Sequence, residues 1–181
     1  MPFERRPGST PSWYRRLPTA LQQVAAASDR VPMLAFRPGA TLLQAVGELV
    51  DVLPSGRVPE VQVRSQRIAD GICTGFRVPL VWVRVAERRP HNQRGELHGL
   101  YTPSSPPERD LITLWMLTAK RAQVVAPRTF LRTLLHEICH HLDYTHLKLR
   151  DSLHTQGFYQ RESSLFAALA ADRIDSARAI R

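Results

Sequence analysis

The sequence predicts an α+β fold with a helical start, a small mixed sheet, a metal-binding helix and a closing C-terminal helix. Three observations predict it. Apolar residues recur at helical spacing in residues 41–52, short alternating apolar runs fill the middle of the chain, and the run His136-Glu137-Ile138-Cys139-His140 lies inside a further amphipathic stretch. With 181 residues and 43% hydrophobic content, the chain can bury a proper core.

Residues 1–16, dominated by Pro, Arg, Ser and Gly and without a period, read as a flexible basic arm, which leaves 17–181 as a single domain. The first helix is expected from Thr19 to Ser28. The second runs from about Thr41 to Val52, with Leu42, Leu43, Val46, Leu49 and Val50 as its apolar stripe, and Pro54, Gly56 and Pro59 break it. Val61 and Val63 alternate with Gln62 and Arg64, which is strand period. Residues 78–85 form a second strand, with Val81, Val83 and Val85 on one face and Leu80, Trp82 and Arg84 on the other. A short strand around Leu97–Tyr101 and a longer one over Leu111–Leu117 follow, separated by Pro103, Pro106 and Pro107. The longer strand is apolar on both sides, so both faces should be buried. The metal helix spans about Thr129 to Leu147, with Pro127 suited to its first turn. A loop holding His154 leads to a last helix from about Glu162 to Ala179, with Leu165, Phe166, Leu169 and Ile174 inward.

His136 and His140 are four residues apart, so on a helix their imidazoles share one face and can reach one zinc ion. Glu137 follows the first of them and is placed to take a proton from water at the metal. The helical wheel puts Thr133, His136, His140 and Asp143 on one stripe, with Leu131, Leu134, Ile138 and Leu142 opposite. A catalytic zinc needs a third protein ligand, and four residues are candidates. His146 has the spacing of metzincins, which need a glycine where Asp143 stands and a later methionine turn, although no methionine follows Met116. Glu162 lies at a distance used by gluzincins. Asp143 is better read as orienting an imidazole through a hydrogen bond. His154 opens His154-Thr155-Gln156-Gly157-Phe158, where a chain reversal would return it to the metal.

The H-E-x-C-H run, followed about fourteen residues later by a histidine, a glycine and an aromatic, resembles the SprT-like zinc metallopeptidases. The resemblance covers roughly residues 110–165. It implies zinc ligands His136, His140 and His154, with Glu137 as the catalytic glutamate, in a zincin-like domain that hydrolyses proteins or peptides. In that family the glycine usually follows the third histidine directly, whereas here Thr155 and Gln156 intervene. The family also pairs the strand before the metal helix with an extended substrate, which makes Leu111–Leu117 either the substrate strand or simply a core strand, two readings that the sequence does not separate. Tyr101, Tyr144, Tyr159 and His141 are candidate oxyanion donors.

Net charge is +9, and only Lys120 and Lys148 are lysines. Arg5-Arg6 and Arg15-Arg16 flank Trp13 and Tyr14, a patch suited to phosphates and bases, so nucleic acid is a candidate partner of the arm. The alternative to a peptidase is a nucleic-acid-associated zinc-binding protein with little or no turnover. Two cysteines, neither in C-x-x-C spacing, exclude a disulfide framework or a zinc ribbon. The absence of a signal-type apolar stretch, or of one long enough for a membrane, predicts a cytoplasmic protein with no membrane partner.

Overall fold

The computed structural model describes residues 13–92 and 95–170, and within them the fold is mixed α and β. Three helices come first: α1 (Thr19–Asp29), α2 (Ala40–Val52) and α3 (Val58–Phe76). The strand expected at Val61–Arg64 does not form, because these residues belong to α3. Pro59 sits in the first turn, where a missing N–H leaves nothing unsatisfied, and burial then recurs at helical spacing through Val61, Ser65, Ile68 and Ile72. Val63 is exposed, so the four-residue alternation was the start of a helical face.

The strands are β1 (Trp82–Arg88), β2 (His91–Asn92), β3 (Gly95–Glu96), β4 (Gly99–Thr102) and β5 (Leu111–Leu117). β1 starts four residues later than its periodicity suggests, yet Val81, Val83 and Val85 form the buried face as expected. β2 and β3 make a small separate hairpin that no sequence signal announced. The main sheet has the order β1-β5-β4, with β1 parallel to β5 and β4 antiparallel to it. This mixed sheet therefore has β5 at its centre, which makes it the core strand of the two readings and rules out the substrate-pairing one. Both of its edges are already hydrogen-bonded, and the open edge is β4. Nor is β5 fully covered. Ile112, Leu114 and Met116 are buried, but Leu111, Trp115 and Leu117 are half-buried beside the exposed Trp82 and Leu100.

Helix α3 packs against β1 and closes its outer edge with side-chain amides. Gln66 accepts the Val83 N–H at 2.8 Å and donates to the Val81 carbonyl at 2.8 Å, and Gln62 accepts the Val85 N–H at 3.1 Å. Helix α4 (Pro127–Thr145) crosses the inner face at β4 and β5, and α5 (Gln156–Ala170) packs on α4 and α1. One continuous core joins Val46 and Leu49 of α2, Ile68 and Ile72 of α3, the inner faces of β1 and β5, and Leu134, Ile138, Phe158 and Leu165 of the last two helices. α5 begins six residues before the expected Glu162, and the expected extension to Ala179, with Ile174, lies outside the described residues.

Most of the expected arm also lies outside the described residues. Of its last residues, Tyr14–Arg16 form a 3-10 turn, and the Tyr14 hydroxyl donates to the Gln22 carbonyl at 2.7 Å. Among the described residues no helix is long and apolar enough to cross a membrane.

Candidate metal centre

Helix α4 owes its orientation to one buried row, Leu131, Leu134, Leu135, Ile138 and Leu142, which fixes Thr133, His136 and His140 toward a cavity. The two imidazoles lie with ring centroids 5.0 Å apart. Past Thr145 the chain turns back. The N–H groups of His146 and Leu147 bond the Leu142 carbonyl, Lys148 takes a left-handed φ of 55°, and Leu149 N–H bonds the Asp143 carbonyl. This reversal returns His154, whose Nε2 lies 2.9 Å from His136 Nε2 and 3.1 Å from His140 Nε2. Among the described residues these three histidines form the group whose donor atoms lie close enough together to hold a metal ion.

The departure Thr155-Gln156 before Gly157 has a structural reason, because α5 starts directly after His154. Thr155 caps it, accepting the Phe158 N–H at 3.1 Å, and its hydroxyl meets Ser28 Oγ at 2.9 Å. Gly157 lies in the first turn against the end of α1, where a Cβ would stand 2.5 Å from the Ser28 carbonyl oxygen. Its N–H donates to Asp29. Phe158 then floors all three imidazoles, with centroids 4.9, 4.6 and 5.1 Å from His136, His140 and His154.

The outer ring nitrogens are held. His136 Nδ1 meets Glu162 Oε2 at 3.0 Å, and Glu162 Oε1 accepts from Arg132 at 2.9 Å. His140 Nδ1 meets Ser152 Oγ at 2.7 Å. Asp143 does not face the cavity beside His140. It is fully buried, and the Ser152 hydroxyl, at 2.8 Å, stands between it and the imidazole. His146 is not brought to the cluster, as it follows α4 and packs against the Phe76 ring.

Burial and the neighbouring imidazoles push His140 down to about 3, and burial likewise lowers His154. Burial opposes ionisation of Glu162, but the hydrogen bond with His136 and the Arg132 guanidinium outweigh it and hold the carboxyl below its usual range. Glu137 is buried, and burial raises it to about 7 against the pull of His136 and the Tyr101 backbone amide.

The cavity, of about 550 Å³, is lined by the three histidines and Glu137, with β4 along one side. Tyr101 and Tyr144 both line it, but the Tyr101 hydroxyl donates to Asp110. His141 is buried, with Nδ1 on Asp110 and Nε2 on the Pro79 carbonyl, and Tyr159 stacks on His154 half-exposed. Of the four candidate donors, Tyr144 is thus the one in the cavity whose hydroxyl has a weak partner, Asp151 at 3.2 Å. Sequence reasoning missed His98, Arg132 and Gly99, which also line the cavity, and Ser152.

Gly99 carried a readable signal, since a glycine inside a strand marks close approach. A Cβ there would lie 2.6 Å from Glu137 Oε1 and 2.7 Å from Thr133 Cγ2. Glu137 Cγ would stand 2.9 Å away as well, and all three are side-chain atoms, so Gly99→Ala should fold and keep its histidine cluster while the whole Glu137 side chain is pushed aside. Any hydrolysis that depends on Glu137 should fall at least ~100-fold, because a 1 Å misplacement already costs about that much. Wild-type turnover in the variant would mean the carboxylate tolerates displacement.

No family model, curated protein or solved structure matches the chain.

Proposed function

We propose that the chain is a zinc-dependent endopeptidase with a zincin-like domain similar to the SprT-like metallopeptidases, in which His136, His140 and His154 hold the metal and Glu137 is the general base. The reading is carried by one observation, the convergence of three imidazole nitrogens beside a buried carboxylate at an open strand edge. The donor set suits zinc. Three tetrahedral ligand nitrogens at about 2.0–2.1 Å from the ion stand roughly 3.3 Å from one another, against 2.9 and 3.1 Å here. His136 Nδ1 faces a carboxylate that can only accept, so its proton sits there and its Nε2 lone pair faces the cluster. When bound, zinc supplies Lewis acidity that polarises a carbonyl and acidifies a water.

The chain's own groups do the rest. Glu137, buried beside the three histidines on the cavity wall, is placed to take a proton from water and return it to the leaving amine, so one residue serves as base and then acid. Tyr144 is the candidate donor to the developing oxyanion. On β4, the His98 carbonyl bonds Trp115 across the sheet, so by antiparallel alternation the backbones of Gly99 and Tyr101 point outward into the cavity, with the Tyr101 N–H held by Glu137. An extended peptide can add there as a fourth strand, which makes a locally unfolded protein segment the substrate class.

The test is metal content and turnover of three variants. Wild type should carry one zinc per chain, and His136→Ala, His140→Ala and His154→Ala should each retain less than about a tenth of it. A His154→Ala variant with full zinc would remove the third ligand and the family likeness with it. Full zinc in wild type with no cleavage of any unfolded protein would leave a zinc-binding module in place of an enzyme.

A further inference from the structure

We propose that Ser152 is the positioning residue of this centre: it passes the polarity of the Asp143 carboxylate, itself fixed by Arg161, to His140, and so selects the imidazole form whose Nε2 lone pair faces the other two histidines. The proposal rests on the zinc reading above, but its first measurement needs no metal.

The chain of bonds has only one consistent direction. Asp143 Oδ1 accepts from Arg161 Nη2 at 2.8 Å, and Oδ2 accepts from the Ser152 hydroxyl at 2.8 Å. A serine has one hydroxyl proton. Given to Asp143, it leaves Ser152 Oγ able only to accept from His140 Nδ1, 2.7 Å away. The neutral imidazole then carries its proton on Nδ1 and its lone pair on Nε2. Arg161 sets the direction: burial pushes the Asp143 carboxyl up, and the guanidinium, which cannot accept, opposes that with its charge and hydrogen bond and favours the carboxylate. A protonated Asp143 could donate to Ser152 and reverse every bond.

Arg161 is fully buried and anchored away from the cluster. It donates to the Ser28 and Val31 carbonyls at 2.7 Å each and to Ser28 Oγ at 2.8 Å. The C-terminal turn of α1 thus fixes a guanidinium on α5, which fixes a carboxylate on α4, which orients a serine on the returning loop. His136 has its own acceptor in Glu162, so the two ligands of α4 are oriented independently.

Asp143→Asn is the sharpest test, being nearly isosteric. Arg161 would keep the amide oxygen on its side and turn the NH2 toward Ser152, so the serine would donate its hydroxyl hydrogen bond to His140 Nδ1 and leave the imidazole proton on Nε2. Long-range ¹H–¹⁵N spectra of the metal-free protein should report His140 protonated on Nδ1 in wild type and on Nε2 in Asp143→Asn. Zinc affinity, measured by chelator competition, should fall about 10- to 100-fold in Asp143→Asn and in Ser152→Ala. Ser152→Thr should restore both readouts, and the double variant should bind no more weakly than Ser152→Ala alone. A wild-type His140 protonated on Nε2, or unchanged tautomer and affinity in Ser152→Ala, would overturn the proposal. If Asp143→Asn fails to fold, the Ala and Thr variants at Ser152 still decide it. A wild-type protein that binds no zinc would overturn the metal reading alone, since the tautomer spectra would still judge the relay.

Discussion

Glu137→Gln should abolish hydrolysis and at the same time make the metal-free fold more stable at pH 8. Burial raises the Glu137 carboxyl from 4.5 to about 7, so the fold disfavours its ionised form. Below pH 4.5 the group is protonated in both folded and unfolded chains and costs nothing. As pH rises through 7 the folded chain must ionise it, and the full cost is about 3 kcal/mol at 1.36 kcal/mol per unit. Glutamine keeps the shape without the charge. The variant should therefore gain on the order of 1–3 kcal/mol at pH 8 and nothing near pH 4, as read by denaturant unfolding in the presence of chelator. His140, pushed down to about 3, costs stability as pH falls below 6.5, but equally in both proteins, so it cancels from the difference. Activity should drop by several orders of magnitude because both proton transfers fail. A variant less stable than wild type at pH 8, or one within tenfold of its turnover, would contradict this account of the residue.

Gly157→Ala should be the most damaging small substitution in the described structure. Its Cβ would meet the Ser28 carbonyl oxygen at 2.5 Å, Asp29 Cα at 2.7 Å and the Ser28 carbonyl carbon at 3.0 Å, all backbone atoms that cannot swing aside. α1 and α5 must separate, and that strains the Gly157–Asp29 bond, the Thr155–Ser28 bond and the Arg161 contacts to Ser28 together. The expected loss is about 3 kcal/mol, at the upper end for overpacking. Because His154 sits three residues upstream, zinc affinity should fall with stability. Gly99→Ala, where only side-chain atoms are displaced, should keep its zinc. Thermal unfolding and metal titration of the two variants side by side would separate the cases. A Gly157→Ala protein with wild-type stability would mean the helices close without this contact.

What could be read from the chain divides along a physical line. His136, Glu137 and His140 were legible because helical spacing is local, and the row of leucines behind them settles which way the face points. β5 was legible to the residue because its apolar run follows Pro103, Pro106 and Pro107 and ends before the charged pair Lys120-Arg121. The helical start at Val58 was not, since four alternating residues fit the first turn of a helix as well as a strand. The early start of α5 was hidden by Gly157, which reads as a breaker until its contact with α1 is seen. Spacing alone left His146, Glu162, Asp143 and His154 open as the third partner. The structure brings His154 to the pair and sets Glu162 and Asp143 behind the imidazoles, through a reversal that depends on a left-handed residue at Lys148 and on contacts with α1. Ser152 gave no signal, because nothing in its neighbours encodes which carboxylate and which imidazole it will bridge.

The glutamines of α3 have a consequence for how the molecule can associate. An unpaired strand offers its N–H and C=O groups to any extended chain, its own copies included. With Gln62 and Gln66 sealing β1, the edge left open to lengthen the three-stranded sheet among the described residues is β4, beside Glu137. On the proposed reading, growth of the sheet and capture of a client segment would therefore be the same act at the same place. Two copies meeting edge to edge would cover each other's clefts, so self-association by this route would also close off the histidine cluster.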